Sequence, residues 1–195
     1  MSLLDTPHGP ARLHRFDAEE PRALLVLLPG ASGSVEAPDL HVAARAAHAA
    51  GVTTILVEPP YRLAGRRTPP RGRVDGEVLA SVVEQVRPRD LPLVLGGRSY
   101  GSRIACRAAR PLGSSGVLCL AFPLHPPGKP EKSRLEDVAA PGDLPVLVIQ
   151  GRSDAFGRTP DSDTREVLLV EGDHSLRKDH ELIASTIVDW LGRLI

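Results

Sequence analysis

The sequence predicts a three-layer α/β sandwich, with a mostly parallel sheet of about six to seven strands between two layers of helices. Three observations lead there. Short runs rich in leucine, valine and isoleucine recur along the chain, none of them alternates polar with apolar residues, and segments with helical spacing fall between them. A run that is apolar throughout suits a strand buried on both faces, as parallel strands are when helices cover them.

Taken in order, residues 1–22 form an N-terminal segment in which PARLHRFDA (10–18) adds a candidate edge strand. ALLVLLPG (23–30) is the first strong strand, and DLHVAARAAHAAG (39–51) repeats alanine and valine at helical spacing until Gly51 stops it. TTILVEPP (53–60) is the second strand, and the helix over 74–86 places Val78, Leu79, Val82, Val83 and Val86 on one stripe. LPLVLGG (91–97) leads into a helix over 100–110, with Gly101, Ile104, Ala105 and Ala108 facing one way. GVLCLAFP (116–123) precedes the one long irregular segment, 123–143, which holds at most a short helix around 134–138. LPVLVIQG (144–151) and REVLLVEG (165–172) are the last strands, and a helix over 175–194 carries Leu182, Ile183, Thr186, Ile187 and Trp190. The 18 glycines and 19 prolines punctuate these runs instead of clustering, so they mark loops.

Composition narrows the function classes. Residues 1–195 suffice for one substantial core and are few for two, so a single domain is expected, with its core beginning at about residue 23. The 24 basic and 24 acidic side chains cancel, and a pI of about 7.1 provides no field to gather nucleic acid or an anionic membrane. No apolar stretch approaches the roughly 20 residues that span a bilayer, and MSLLDTPHGPARLHRF lacks the apolar segment of a secretory signal. A cytoplasmic location is expected. The two cysteines, Cys106 and Cys119, have neither metal-ligand nor Cys-x-x-Cys spacing and read as small buried hydrophobes. No metal or other cofactor is expected.

The residues that suggest chemistry begin with Gly97-Arg98-Ser99-Tyr100-Gly101, a Gly-x-Ser-x-Gly motif between a strand and a helix. On such a turn a serine hydroxyl projects at the carboxyl end of the sheet, and the glycines are needed because larger side chains would meet the neighbouring strand and helix. A serine hydroxyl at neutral pH is a poor nucleophile and requires a base and a group to orient that base. Asp154, in QGRSDAFG, and His174, in VEGDHSL, each follow a strand, in the chain order Ser, Asp, His. His125 is the rival base because it too follows a strand, and Asp173 is the rival acid because it adjoins His174. Two amides must receive the oxyanion: that of Tyr100, after the nucleophile, and that of Ala31, in the PGASGS loop (29–34). The same loop lacks the Gly-Lys-Ser/Thr ending and the Gly-x-Gly-x-x-Gly of nucleotide sites. Tyr61, Arg66, His125 and Phe156 are the candidate substrate-binding residues, with Arg67 beside Arg66.

These residues resemble the α/β-hydrolase superfamily from about Ala23 to the C-terminus. PGASGS, GGRSYGSRIA, AFPLHPPGKPEKSR, QGRSDAFG and DHSLR resemble more narrowly a small, lidless group with dienelactone-hydrolase-like bacterial members. Its eukaryotic relatives include a testis-expressed protein and a subunit of a chromatin-acetylating complex. The resemblance implies a minimal hydrolase fold without a lid domain, Ser99, Asp154 and His174 as a triad, and Ala31 and Tyr100 as oxyanion donors. The chain departs from many superfamily members in having Pro29-Gly30 where they carry His-Gly, and from dienelactone hydrolases in having serine where they use cysteine. The function expected is a serine hydrolase of carboxylesterase type acting on a small-molecule acyl substrate. A non-catalytic protein-interaction module on the same scaffold, and a thioesterase or peptidase using the same triad, remain as alternatives.

Overall fold

The computed structural model describes residues 1–70, 72 and 74–195. Its centre is built from the runs that are apolar throughout. Strands β3 (Ala23–Leu28), β6 (Gly116–Leu120) and β7 (Val146–Gly151) are buried at every position. In β3, Leu25 and Leu27 join one core with Leu40, Ile187 and Trp190, while Leu24 and Val26 join a second core with Val78, Leu79 and Ile104. One strand thus feeds two cores on opposite faces, which is why its residues do not alternate. Each such leucine contributes roughly 2 kcal/mol by leaving water.

Helices α1 (Pro38–Ala49) and α6 (His180–Leu194) cover the first face. Helices α3 (Val74–Val86) and α4 (Tyr100–Ala108) cover the second. Two short helices, α2 (Pro60–Leu63) and α5 (Leu135–Ala139), lie in connections. The remaining strands are β1 (Ser2–Thr6), β2 (Gly9–Phe16), β4 (Val52–Glu58), β5 (Leu93–Arg98) and β8 (Arg165–Val170), and the sheet order is β1-β2-β4-β3-β5-β6-β7-β8. Cys106 and Cys119 are both fully buried, in the core of the second face. No helix among the described residues is long and apolar enough to cross a membrane.

Among the described residues the sheet has eight strands, more than the six to seven expected. The difference lies at the N-terminus. The expected edge strand over 10–18 is β2, an interior strand paired antiparallel with β4 on one side and with β1 on the other. Gly9, at φ 102°, and the Thr6 hydroxyl, which donates to the Gly9 carbonyl at 2.6 Å, close the hairpin that brings β1 to the edge. The last helix also starts later than expected, at His180 instead of 175. Leu176 and Asp179 have φ of 47° and 55°, which a right-handed helix excludes, so the chain makes an irregular loop first.

Connectivity places the site. From β3 the chain runs out to β4 and then returns past β3 to β5, so β3 and β5 are parallel neighbours with Leu28 opposite Gly97. The loops leaving their carboxyl ends therefore diverge from one point, the crevice where open α/β sheets gather ligands.

Candidate active site

At the end of β5 the backbone turns sharply at Ser99, with φ 50° and ψ −114°, and α4 begins at the next residue. This is a strained conformation for a residue with a Cβ. It is held by the Ser99 amide, which donates to the Leu120 carbonyl at 2.8 Å, and by the Ser102 hydroxyl, which donates to the Ser99 carbonyl at 2.6 Å. The flanking glycines are required by their surroundings. A Cβ on Gly97 would lie 2.6 Å from the Gly101 carbonyl carbon, and one on Gly101 would lie 2.5 Å from the carbonyl oxygens of both Leu28 and Pro29. Tyr100 opens α4, so its amide is among those a helix leaves unpaired, and the positive end of the helix adjoins Ser99.

Two later loops reach this turn. His174 Nε2 lies 2.8 Å from Ser99 Oγ, and His174 Nδ1 lies 2.7 Å from Asp154 Oδ2. Against an ionised carboxylate Nδ1 must donate, which leaves the lone pair of Nε2 facing the serine hydroxyl. The Asp154 side chain is completely buried, and its charge is met by donors on every side. Gln150 Nε2 donates to Oδ2 at 2.6 Å and the Phe156 amide to Oδ1 at 2.8 Å. Gln150 is itself fixed by donating to the Phe122 carbonyl at 3.1 Å. The imidazole keeps 20 % of its surface exposed, and the Phe156 ring lies over it with centroids 4.2 Å apart and planes inclined by 30°.

The rival side chains are occupied elsewhere. His125 directs Nδ1 to the Pro126 carbonyl at 2.9 Å, while its ring closes on the backbone of Gly157. Exposed Asp173 accepts from the Ser175 amide at 2.9 Å, and the Ser175 hydroxyl and amide hold its carboxyl below the usual range.

In the loop over 29–34 that leaves β3, the Gly33 amide donates to the Gly30 carbonyl at 2.8 Å, and the Tyr61 hydroxyl donates to the Ala31 carbonyl at 3.1 Å. Tyr61 is only 7 % exposed, and it braces this loop while lining a small cavity with Pro29, Asp75 and Tyr100. Arg66 lies exposed beyond α2, with its amide on the Tyr61 carbonyl. Behind the loop Tyr100 donates its hydroxyl to Asp75 at 2.9 Å. Burial raises the Asp75 carboxyl pKa, and the Tyr100 hydroxyl partly offsets that. Burial, together with the nearby Asp75 charge, raises both tyrosines far above their ordinary value. Among the described residues no group of three or more His, Cys, Asp or Glu side chains is arranged to hold a metal ion.

Three supporting side chains escaped the sequence reading. Gln150 had a usable signal, a polar residue inside the wholly buried run VLVIQG. Asp75 and Arg98 had none, because their partners come from distant segments: Asp75 meets Tyr100, and Arg98 meets Asp39 and the backbone of His174.

Comparison with known proteins agrees with this architecture. The family model described as an alpha/beta hydrolase domain matches residues 21–186. No curated protein sequence matches the chain. Among solved structures, the fold is similar to a lidless α/β serine hydrolase from Xanthomonas campestris, with TM-score 0.77, 20 % identity, and coverage of 98 % of this chain and 93 % of that one. It is also similar to an α/β serine hydrolase homologue from Coxiella burnetii, with TM-score 0.76, 18 % identity, and coverage of 97 % and 96 %. A dienelactone hydrolase from Anabaena variabilis gives TM-score 0.76 at 15 % identity, covering 100 % and 96 %.

Proposed function

The chain belongs to the alpha/beta hydrolase domain family, and from that premise we propose that it is a serine hydrolase that cleaves small carboxylic esters through an acyl-enzyme. The observation that carries this reading is the unbroken relay from Ser99 Oγ to His174 to Asp154, with contacts of 2.8 and 2.7 Å, on a strained strand-to-helix turn.

Ser99 Oγ attacks the ester carbonyl carbon while His174 Nε2 takes the hydroxyl proton. Asp154 stabilises the imidazolium that forms and keeps its ring in place. The carbonyl oxygen becomes an oxyanion and accepts from the amides of Tyr100 and Ala31. The bond between the carbonyl carbon and the alcohol oxygen then breaks, and His174 returns the proton to the departing alcohol. Water repeats the sequence on the acyl-enzyme, releasing the acid and restoring Ser99. The bond from Tyr61 to the Ala31 carbonyl supports this role for the loop, since it fixes the peptide next to the donor. Exposure of Ala31 and partial exposure of His174 support a site reached directly from solvent.

The test is steady-state hydrolysis of p-nitrophenyl acetate by the wild type and by Ser99→Ala. Turnover by the wild type, reduced at least about 10³-fold in the variant, is the expected result. Equal turnover in both proteins would overturn the mechanism.

A further inference from the structure

Arg98, the residue before the nucleophile, is half-buried, and its guanidinium meets three segments at once. Its Nε donates to Asp39 Oδ2 at 2.9 Å, in the first turn of α1, and a terminal nitrogen donates to the His174 backbone carbonyl at 3.1 Å. The third segment is the oxyanion loop, where a Cβ on Gly30 would lie 3.1 Å from the other terminal nitrogen. The Asp39 side chain has no exposed surface, and its Oδ1 accepts from the Leu40 amide at 3.1 Å.

We infer that Arg98 is a positioning residue: anchored by buried Asp39, it holds the His174 loop by its carbonyl and so sets the distance between His174 Nε2 and Ser99 Oγ. The chemistry of the pair favours a geometric role over a purely stabilising one. Burial pushes the Asp39 carboxyl up and the Arg98 charge only partly offsets this, and a buried ion pair is often replaceable by apolar side chains with no loss of stability. What apolar residues cannot supply is a rigid planar fork, with one arm satisfying Asp39 while the other reaches a carbonyl on a different loop. The loop is held at its ends, where the Gly172 carbonyl accepts from the Ser153 amide and hydroxyl at 3.0 and 2.8 Å and the Asp179 carboxylate accepts from the Glu171 amide at 2.7 Å, so among the described residues the Arg98 bond is the side-chain contact that acts on the His174 peptide itself. His174 sits between β8 and α6 in a segment with two left-handed residues, Leu176 and Asp179, and the side-chain contact with Asp154 orients the ring without fixing the backbone that carries it.

The catalytic part of this inference rests on the serine-hydrolase reading, whereas the tether itself does not. Two variants separate the roles. Arg98→Lys keeps a charge for Asp39 but loses the second arm. The double variant Arg98→Met with Asp39→Leu removes both charges together, so that no unpaired ion is left inside. Steady-state hydrolysis of p-nitrophenyl acetate is measured alongside amide hydrogen exchange over residues 171–179, with circular dichroism to confirm folding. Both variants are expected to lose about tenfold or more in kcat, with KM within about threefold of the wild type, because the acyl group still binds while the base is misplaced. Exchange in 171–179 is expected to quicken by about tenfold as the loop opens locally. Should the double variant not fold, Arg98→Lys decides alone. Unchanged exchange together with wild-type kcat in a folded variant would overturn the inference. If the wild type itself hydrolyses no ester, the serine-hydrolase reading fails and the tether is judged by exchange alone, where unchanged rates refute it.

Discussion

Gly101→Ala separates steric from conformational effects at the strand-to-helix turn that carries Ser99. Gly101 lies within α4, where alanine is favoured over glycine by about 1 kcal/mol, so helix propensity alone makes the change stabilising. The surroundings reverse that sign. The new methyl would sit 2.5 Å from the carbonyl oxygens of Leu28 and Pro29, both backbone atoms at the end of β3. Relieving both contacts requires α4 and the loop over 29–34 to part by the better part of an ångström, and overpacking of this kind costs roughly 1–3 kcal/mol or more. The expected net change is a loss of about 2 kcal/mol, seen as a lower urea midpoint with an unaltered slope. Because Pro29 leads directly into the loop bearing Ala31, the proposed function predicts that kcat for p-nitrophenyl acetate also falls at least about tenfold. Gly192→Ala in α6 is the control: nothing lies within 4 Å of its Cβ, so the propensity gain should survive as about 0.5 kcal/mol of added stability. Equal or greater stability in Gly101→Ala than in the wild type would refute the steric reasoning.

The other expectations are as direct. Tyr61 and Tyr100, the chain's two tyrosines, have raised folded pKa values, so the folded state keeps protons that the unfolded chain releases. Their contribution to stability is complete below the unfolded value of about 10 and is lost as pH rises toward the folded values, so denaturation midpoints should drop above that pH. Tyrosinate absorbance should then appear together with loss of far-ultraviolet dichroism, and a full rise near pH 10 in a still-native protein would contradict this. Asp154→Asn should lower kcat by roughly 10³ to 10⁴ with little change in KM, since the amide no longer selects the imidazole tautomer that accepts from Ser99. Phe156→Ala removes the ring lying over His174 and should cost about 1–2 kcal/mol in thermal or urea unfolding. A stability equal to that of the wild type would show that the ring contact contributes nothing.

What was legible in the sequence follows from what each residue buries. The runs at β3, β6 and β7 announced themselves because both faces of each strand are covered, so no polar residue interrupts the count until Gln150. The hairpin of β1 and β2 is less legible because one side of it meets solvent: Ser2, Leu3 and Asp5 are exposed, and only Ala11 and Leu13 of β2 are buried. The start of α6 at His180 is hidden from the sequence because the left-handed turns at Leu176 and Asp179 leave no trace in hydrophobic spacing. At the site, Ser99, Asp154 and His174 could be singled out because each follows a strand in a fixed chain order, and parallel strands deliver their ends to one edge. The contacts of Arg98 with Asp39 and His174 join residues 59 and 76 positions apart, and such pairings exist only once the sheet has formed. The position of Tyr61 in a loop does not reveal its burial, which comes from the approach of Gly33 and from the bond of its hydroxyl to the Ala31 carbonyl.

The proposed function requires Ser99 to be a nucleophile activated by His174. Peptide mapping after treatment with a serine-directed fluorophosphonate tests it without assuming any substrate. The adduct should fall on the peptide containing Ser99, be absent in Ser99→Ala, and form at least about 10³-fold more slowly in His174→Ala. A folded wild-type protein that forms no adduct, or one modified at Ser102 instead, would contradict it.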